Sequence, residues 1–143
     1  MTMYVKTQED QVQIFPYDTG SFLRDNPNTS FPRPVPDSVF ADYGVYPVAS
    51  TDRPEYDQTT HNAKQLNPVL VDGVWLQQWS VELREDADVQ ARSKRDRLLA
   101  QSDWTQVVDA PVDQAAWATY RQALRDVPAQ AGFPENIDWP DVP

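Results

Sequence analysis

Seven of the 13 prolines fall between residues 25 and 68, and they constrain the fold of this chain more than any other feature. A proline inside a helix removes one backbone hydrogen bond and clashes with the preceding turn, so this stretch holds no long helix. Residues 37–44 are the proline-free exception. Asp37 is a good N-cap and Gly44 a good residue just past a helix end, so one short helix is expected there. Val45–Val48, with Pro47 inside it, reads as a short edge strand. Residues 49–68 are polar and read as an extended loop.

On either side of this stretch the pattern is that of β structure. Met3–Lys6 and Val12–Phe15 are short β-type runs around a turn-forming Thr7–Asp10, which predicts a hairpin that Pro16 should end. Ser21–Arg24 can add one helical turn. In residues 69–81, Asp72-Gly73 separates two β-rich runs and is a strong hairpin signal. The second run puts Trp75, Trp79 and Val81 on one face. A lone hairpin is marginal, so these pieces are expected to join in a small antiparallel sheet.

After residue 82 the pattern becomes helical. Residues 83–102 lack Pro and Gly and read as one helix of about five turns. Only Leu98 and Leu99 in it are strongly apolar. A helix this polar is a spacer or packs on another chain. Asp113 is the expected N-cap of a second helix that runs to about Asp126, with Ala116, Trp117, Tyr120, Ala123, Leu124 and Val127 at helical spacing and Pro128 as its stop. Leu98, Leu99, Trp104, Trp117, Tyr120 and Leu124 are expected to form a small core between two antiparallel helices, with the tail around Phe133 and Trp139 folded back on them. The fold class is therefore α+β: a small N-terminal antiparallel sheet with proline-rich loops, a long polar helix and a C-terminal helical hairpin. The expected divisions are a β-rich unit at 1–81, a polar connector at 82–101 and a helical hairpin with an irregular tail at 95–143.

Composition limits the chemistry. With 22 acidic and 12 basic residues the net charge is -10, which repels phosphate backbones and anionic membranes, so neither nucleic acid nor membrane is an expected partner. No apolar run is long enough to span a bilayer, and MTMYVKTQED shows no signal-peptide pattern. High net charge at a mean hydropathy of -0.66 puts the chain near the compositional border of disorder, so much of it is expected to become ordered against a partner. There is no Cys, which excludes a disulfide scaffold, a thiol nucleophile and a Cys-based metal site. The single His, His61, sits in a polar Thr-Thr-His-Asn context and reads as an exposed loop residue. No phosphate-binding glycine loop and no nucleophile elbow occur. No catalytic residue, cofactor or metal site is expected. The one basic cluster, Lys94-Arg95-Asp96-Arg97, reads as a solvated helix face with internal pairs to Glu85, Asp86 or Asp88, the alternative being contact with an acidic partner. Trp75, Trp79, Leu98 and Leu99 are the candidate partner-binding residues.

Residues 95–140 carry a dense pattern: Arg95-Asp96-x-Leu98-Leu99-x-x-Ser102-Asp103-Trp104-Thr105-Gln106, then Trp117-x-x-Tyr120-Arg121-Gln122-x-Leu124-Arg125-Asp126, then Phe133-Pro134 and Trp139-Pro140. It closely resembles the phage tail assembly chaperone-like family. The front part, Phe15-Pro16-Tyr17 through Asn26-Pro27-Asn28-Thr29-Ser30-Phe31-Pro32 to Tyr43-Gly44-Val45-Tyr46-Pro47-Val48, is similar to the leading half of small tail-fibre-associated phage proteins. The resemblance implies a non-enzymatic protein made in the host bacterial cytoplasm and working on the virion tail. It would be a structural adaptor or an assembly chaperone, with a tail-fibre or baseplate protein as its partner and a homo-oligomer as a further option. It brings no catalytic residue. In physical terms, Ser102 or Asp103 can cap the end of the long helix. Arg121 and Arg125, one turn apart, can reach Asp103, Asp109 or Asp126 and tie the helices together. The alternative is a carbohydrate-binding module in which Trp75 and Trp79 on the sheet face contact host surface glycans.

Overall fold

The computed structural model describes residues 1–143. The chain is α+β and divides into two compact units, Met1–Pro54 with Ala63–Ser80, and Glu55–Asn62 with Val81–Pro143. The division thus cuts across the linear order, because residues 55–62 belong with the C-terminal part.

The first unit holds strands β1 (Tyr4–Gln8), β2 (Gln11–Tyr17) and β3 (Val45–Ala49) and most of β4 (His61–Val71) and β5 (Val74–Leu83), in a sheet of order β2-β1-β3-β5-β4. Helices α1 (Thr19–Asp25) and α2 (Asp37–Asp42) belong to it as well. Both tight hairpins form where the residue types allow left-handed backbone. Glu9 and Asp10 have φ of 51° and 58°, and Asp72 and Gly73 have 49° and 79°, the conformation that matches the twist of paired strands. Asp18 caps α1 by accepting from the Ser21 amide at 2.6 Å.

Four expectations are corrected here. The sheet is mixed, since β3 runs antiparallel to β1 but parallel to β5. β3 is an inner strand rather than an edge. Val48 N–H donates to the Met3 carbonyl at 2.9 Å, so alternation turns the nitrogen of Pro47 the other way. On that side β5 pairs only from Val48 onward, beyond the proline. Residues 61–68 are strand, not loop. Half-buried Ala63 and Gln65 alternate with exposed Asn62 and Lys64, the period of two that a strand needs, and Pro68 is tolerated because β4 lies at an edge. Pro16 does not end β2, which continues to Tyr17 on the opposite edge. In addition, Pro36 takes the cap position of α2 and Asp37 is its first residue, where its carboxylate accepts from Tyr4 Oη at 3.3 Å.

β1 lies between two neighbours and buries successive residues on opposite faces. Tyr4 joins an aromatic cluster with Tyr17, Phe22, Phe40 and Val45, extended by Leu23, Phe31 and Val35 of the proline-rich stretch. The Phe22 ring centroid lies 4.7 Å from that of Phe40 and 4.8 Å from that of Phe31. Val5, on the other face, packs with Val48 and Trp75. Aromatic rings bury much area per residue, which offsets the low apolar fraction.

The second unit holds α3 (Ala87–Gln101), a 3₁₀ turn at Asp103–Gln106, α4 (Gln114–Asp126) and a 3₁₀ turn at Val127–Ala129. The expected helix at 83–102 starts four residues late, because β5 runs to Leu83. The Arg84 amide then donates to the Thr60 carbonyl at 2.8 Å, and its side chain pairs with Asp86. α3 buries only Ala87 and Ala91. α4 is strongly amphipathic: Asp113 caps it through the Ala116 amide, and Tyr120 and Leu124 are buried with Val127 just beyond it. Trp104 corrects the expected core, because it stays 51 % exposed.

Candidate partner-binding site

The residues of the Ser-Asp-Trp-Thr-Gln and Tyr-Arg-Gln-x-Leu-Arg-Asp motifs converge where α3 ends. Ser102 Oγ donates back to the Leu98 and Leu99 carbonyls at 2.9 and 3.0 Å, closing orphan acceptors of the last turn. Thr105, fully buried, donates to the Ser102 carbonyl at 2.6 Å and holds the 3₁₀ turn. Arg121 of α4 reaches across to this corner. Its Nη1 donates to the Leu99 carbonyl at 2.6 Å and to Ser102 Oγ at 2.7 Å, and its Nη2 pairs with Asp103 at 2.7 Å. A planar guanidinium meets these three acceptors at once, which an ammonium does less well. Arg125, by contrast, stays exposed.

This corner displays an apolar edge. Trp104 is 51 % exposed, Val107 54 % and Val108 96 %, all within five consecutive residues. The Trp104 ring sits 6.2 Å from that of Trp117, which meets the Tyr120 ring edge-on at 5.5 Å. Large contiguous apolar patches mark contact surfaces, whereas apolar residues exposed singly are ordinary. Composition gives no hint of Val107 and Val108, which lie in a turn between the motifs.

Of the four candidate contact residues, Trp75 is 5 % exposed, inside the core of the first unit. Trp79 is half-buried, with the Arg53 guanidinium 5.5 Å above its ring and its own buried Nε1 without a hydrogen-bond partner. Leu98 and Leu99 are half-buried. Leu98 lines a cavity of about 120 Å³ with Trp117, Tyr120 and Val142, while Leu99 presents its carbonyl to Arg121. The structure ties Ser102 and Asp103 to Arg121 and brings Trp104, Trp117 and Tyr120 into ring contact, while Trp139 has other partners. The Trp139 Nε1 donates to Asp57 at 2.9 Å, and Lys94 lies 4.1 Å over its ring. No spacing in the sequence announces that bond between residues 57 and 139.

His61 Nδ1 is 2.9 Å from Thr60 Oγ1. No group of three or more metal-binding side chains is assembled, and no helix is long and apolar enough to cross a membrane.

Residues 88–143 match the family model of the phage tail assembly chaperone protein. No curated protein and no solved structure matches the chain. The matched residues span most of α3, the Ser102–Arg121 corner, α4 and the tail. By this match, residues 88–143 of the chain are similar to the phage tail assembly chaperone family.

Proposed function

We propose that this chain is a non-enzymatic tail assembly protein that binds a tail-fibre or baseplate protein through the apolar edge at Trp104, Val107 and Val108. The observation that carries the reading is the coincidence of two features. The matched segment contains the Arg121 corner, and the same corner holds an exposed tryptophan in a fixed position. The polar groups of the motifs are engaged with backbone and with one another, as expected of a scaffold that presents a surface rather than of a reaction site. Tryptophan is also enriched at the energetic centre of protein interfaces.

The test is copy-number mass spectrometry on purified phage particles and on lysates of infected cells, combined with affinity capture by the wild-type chain and by Trp104→Ala. A fixed ratio to a tail protein in particles makes the chain a virion adaptor. Absence from particles, with tail proteins captured from the lysate, makes it an assembly chaperone. Capture of no tail protein from the lysate and absence from particles together overturn the reading.

A further inference from the structure

The polar side of α3 faces a cleft of about 450 Å³ lined by Gln58, Thr59, Gln90, Ser93, Lys94 and Arg97. Residues 90, 93, 94 and 97 follow the i, i+3, i+4, i+7 spacing of one helix face. The opposite wall is Gln58–Thr59 of the segment at 55–62, so the cleft lies wholly within the second unit. Its volume falls in the range of ligand-binding clefts, ~300–1,000 Å³.

The cleft carries two cations, of which Lys94 has a carboxylate neighbour and Arg97 has none. Lys94 is held over the face of Trp139 at 4.1 Å, which orders the ammonium without neutralising it. Asp57 keeps its charge while accepting from Trp139 Nε1 at 2.9 Å and from the Thr59 amide at 2.8 Å, and it interacts electrostatically with Lys94. Asp96 pairs with Arg95 at 2.6 Å, and no carboxylate lies within ion-pair distance of Arg97. In a chain with 22 acidic and 12 basic residues, two cations one turn apart beside hydroxyl and amide groups make this a locally basic surface.

We propose that this cleft binds the carboxylates of an acidic peptide segment, with Lys94 and Arg97 each taking one carboxylate and Thr59 and Ser93 adding neutral donors. A nucleic acid or other polyphosphate meets the repulsion of the whole chain at net charge -10. A short acidic segment brings fewer charges and can place two of them one turn apart. The assignment does not depend on the tail-assembly reading, since it rests on the cleft alone.

The test is a titration of the isotope-labelled full chain with a tetraglutamate peptide, followed by amide chemical shifts, with inorganic phosphate as the comparison. The expected result is saturable shifts confined to residues 57–59 and 90–97. The affinity should drop about tenfold in Arg97→Gln and weaken as salt rises from about 0.05 M to about 0.3 M. Arg97 has no ion-pair partner in the fold, so this variant keeps the wild-type melting temperature. Lys94→Gln gives a second, independent loss. Shifts spread over other surfaces, affinity unchanged in both variants, or phosphate binding tighter than the peptide would each overturn the proposal.

Discussion

Arg121 and Asp103 lie 18 residues apart in sequence, yet Arg121 Nη2 sits 2.7 Å from Asp103 Oδ1. Both terminal guanidinium nitrogens are used, because Nη1 serves Ser102 and the Leu99 carbonyl. Arg121 is 9 % exposed as a residue, whereas the Asp103 side chain is 68 % exposed. The two partners should therefore respond unequally. Arg121→Ala removes a buried fork that three acceptors share, with an expected loss of about 2–4 kcal/mol in urea unfolding. Arg121→Lys recovers only part of it. Asp103→Asn, at a solvated position, costs about 1 kcal/mol or less. Equal losses at both positions would contradict this account.

Gly44 and Gly73 separate two reasons for glycine. Both have positive φ, 70° and 79°. A Cβ at Gly44 would lie 2.7 Å from the Thr7 carbonyl oxygen, whereas one at Gly73 meets nothing within 4 Å. Gly73→Ala should cost only the left-handed backbone strain, about 1–2 kcal/mol. Gly44→Ala should cost more, because it also displaces β1 from the Gly44 carbonyl, to which Thr7 N–H donates at 2.7 Å. Chemical denaturation of the two variants side by side measures the difference.

Tyr17 donates to Asp25 at 2.6 Å and Lys6 to the same oxygen at 3.0 Å. Burial first, and the Asp25 bond second, push the Tyr17 hydroxyl above its ordinary 10.0. The hydrogen bonds from Tyr17 and then Lys6 hold Asp25 below its ordinary 3.8. The signs follow from linkage. The Tyr17 contribution is complete below pH 10.0 and fades as pH rises toward its folded-state value. The Asp25 contribution is complete above pH 3.8 and fades as pH falls through its lower folded-state value. Tyr17→Phe should thus flatten the alkaline loss of stability, and Asp25→Asn the acid loss, in melting temperatures taken across pH.

Leu124 is fully buried and Trp104 half exposed. Leu124→Ala should destabilise by about 2–5 kcal/mol. Trp104→Ala should cost about 1 kcal/mol, the order of its ring contact with Trp117, while capture of a tail protein falls. A large stability loss at Trp104 would assign it to the core after all.

Much of the local structure was legible before any fold was known. Asp72-Gly73 specified its turn, Asp113 its helix start, and Gly44 the end of α2, because each depends on backbone conformation over a few residues. The Ser102, Asp103 and Arg121 ties were legible as a motif with a stated physical use. The strand at 61–68 was not, since its alternation is carried by Ala, Gln and Pro rather than by β-branched residues. Nor was the parallel pairing of β3 with β5, which joins residues 48 and 75.

The sequence by itself determined turns, caps, the amphipathic helix at 114–126 and the charge that repels phosphate, all of them properties of neighbouring residues. Only the tertiary structure decided that Trp75 is core and Trp104 surface, that Trp139 serves Asp57, and that Lys94 and Arg97 line one cleft. Burial and pairing at those positions are set by residues far away in the chain, and pattern over a few turns carries no record of which distant segment arrives.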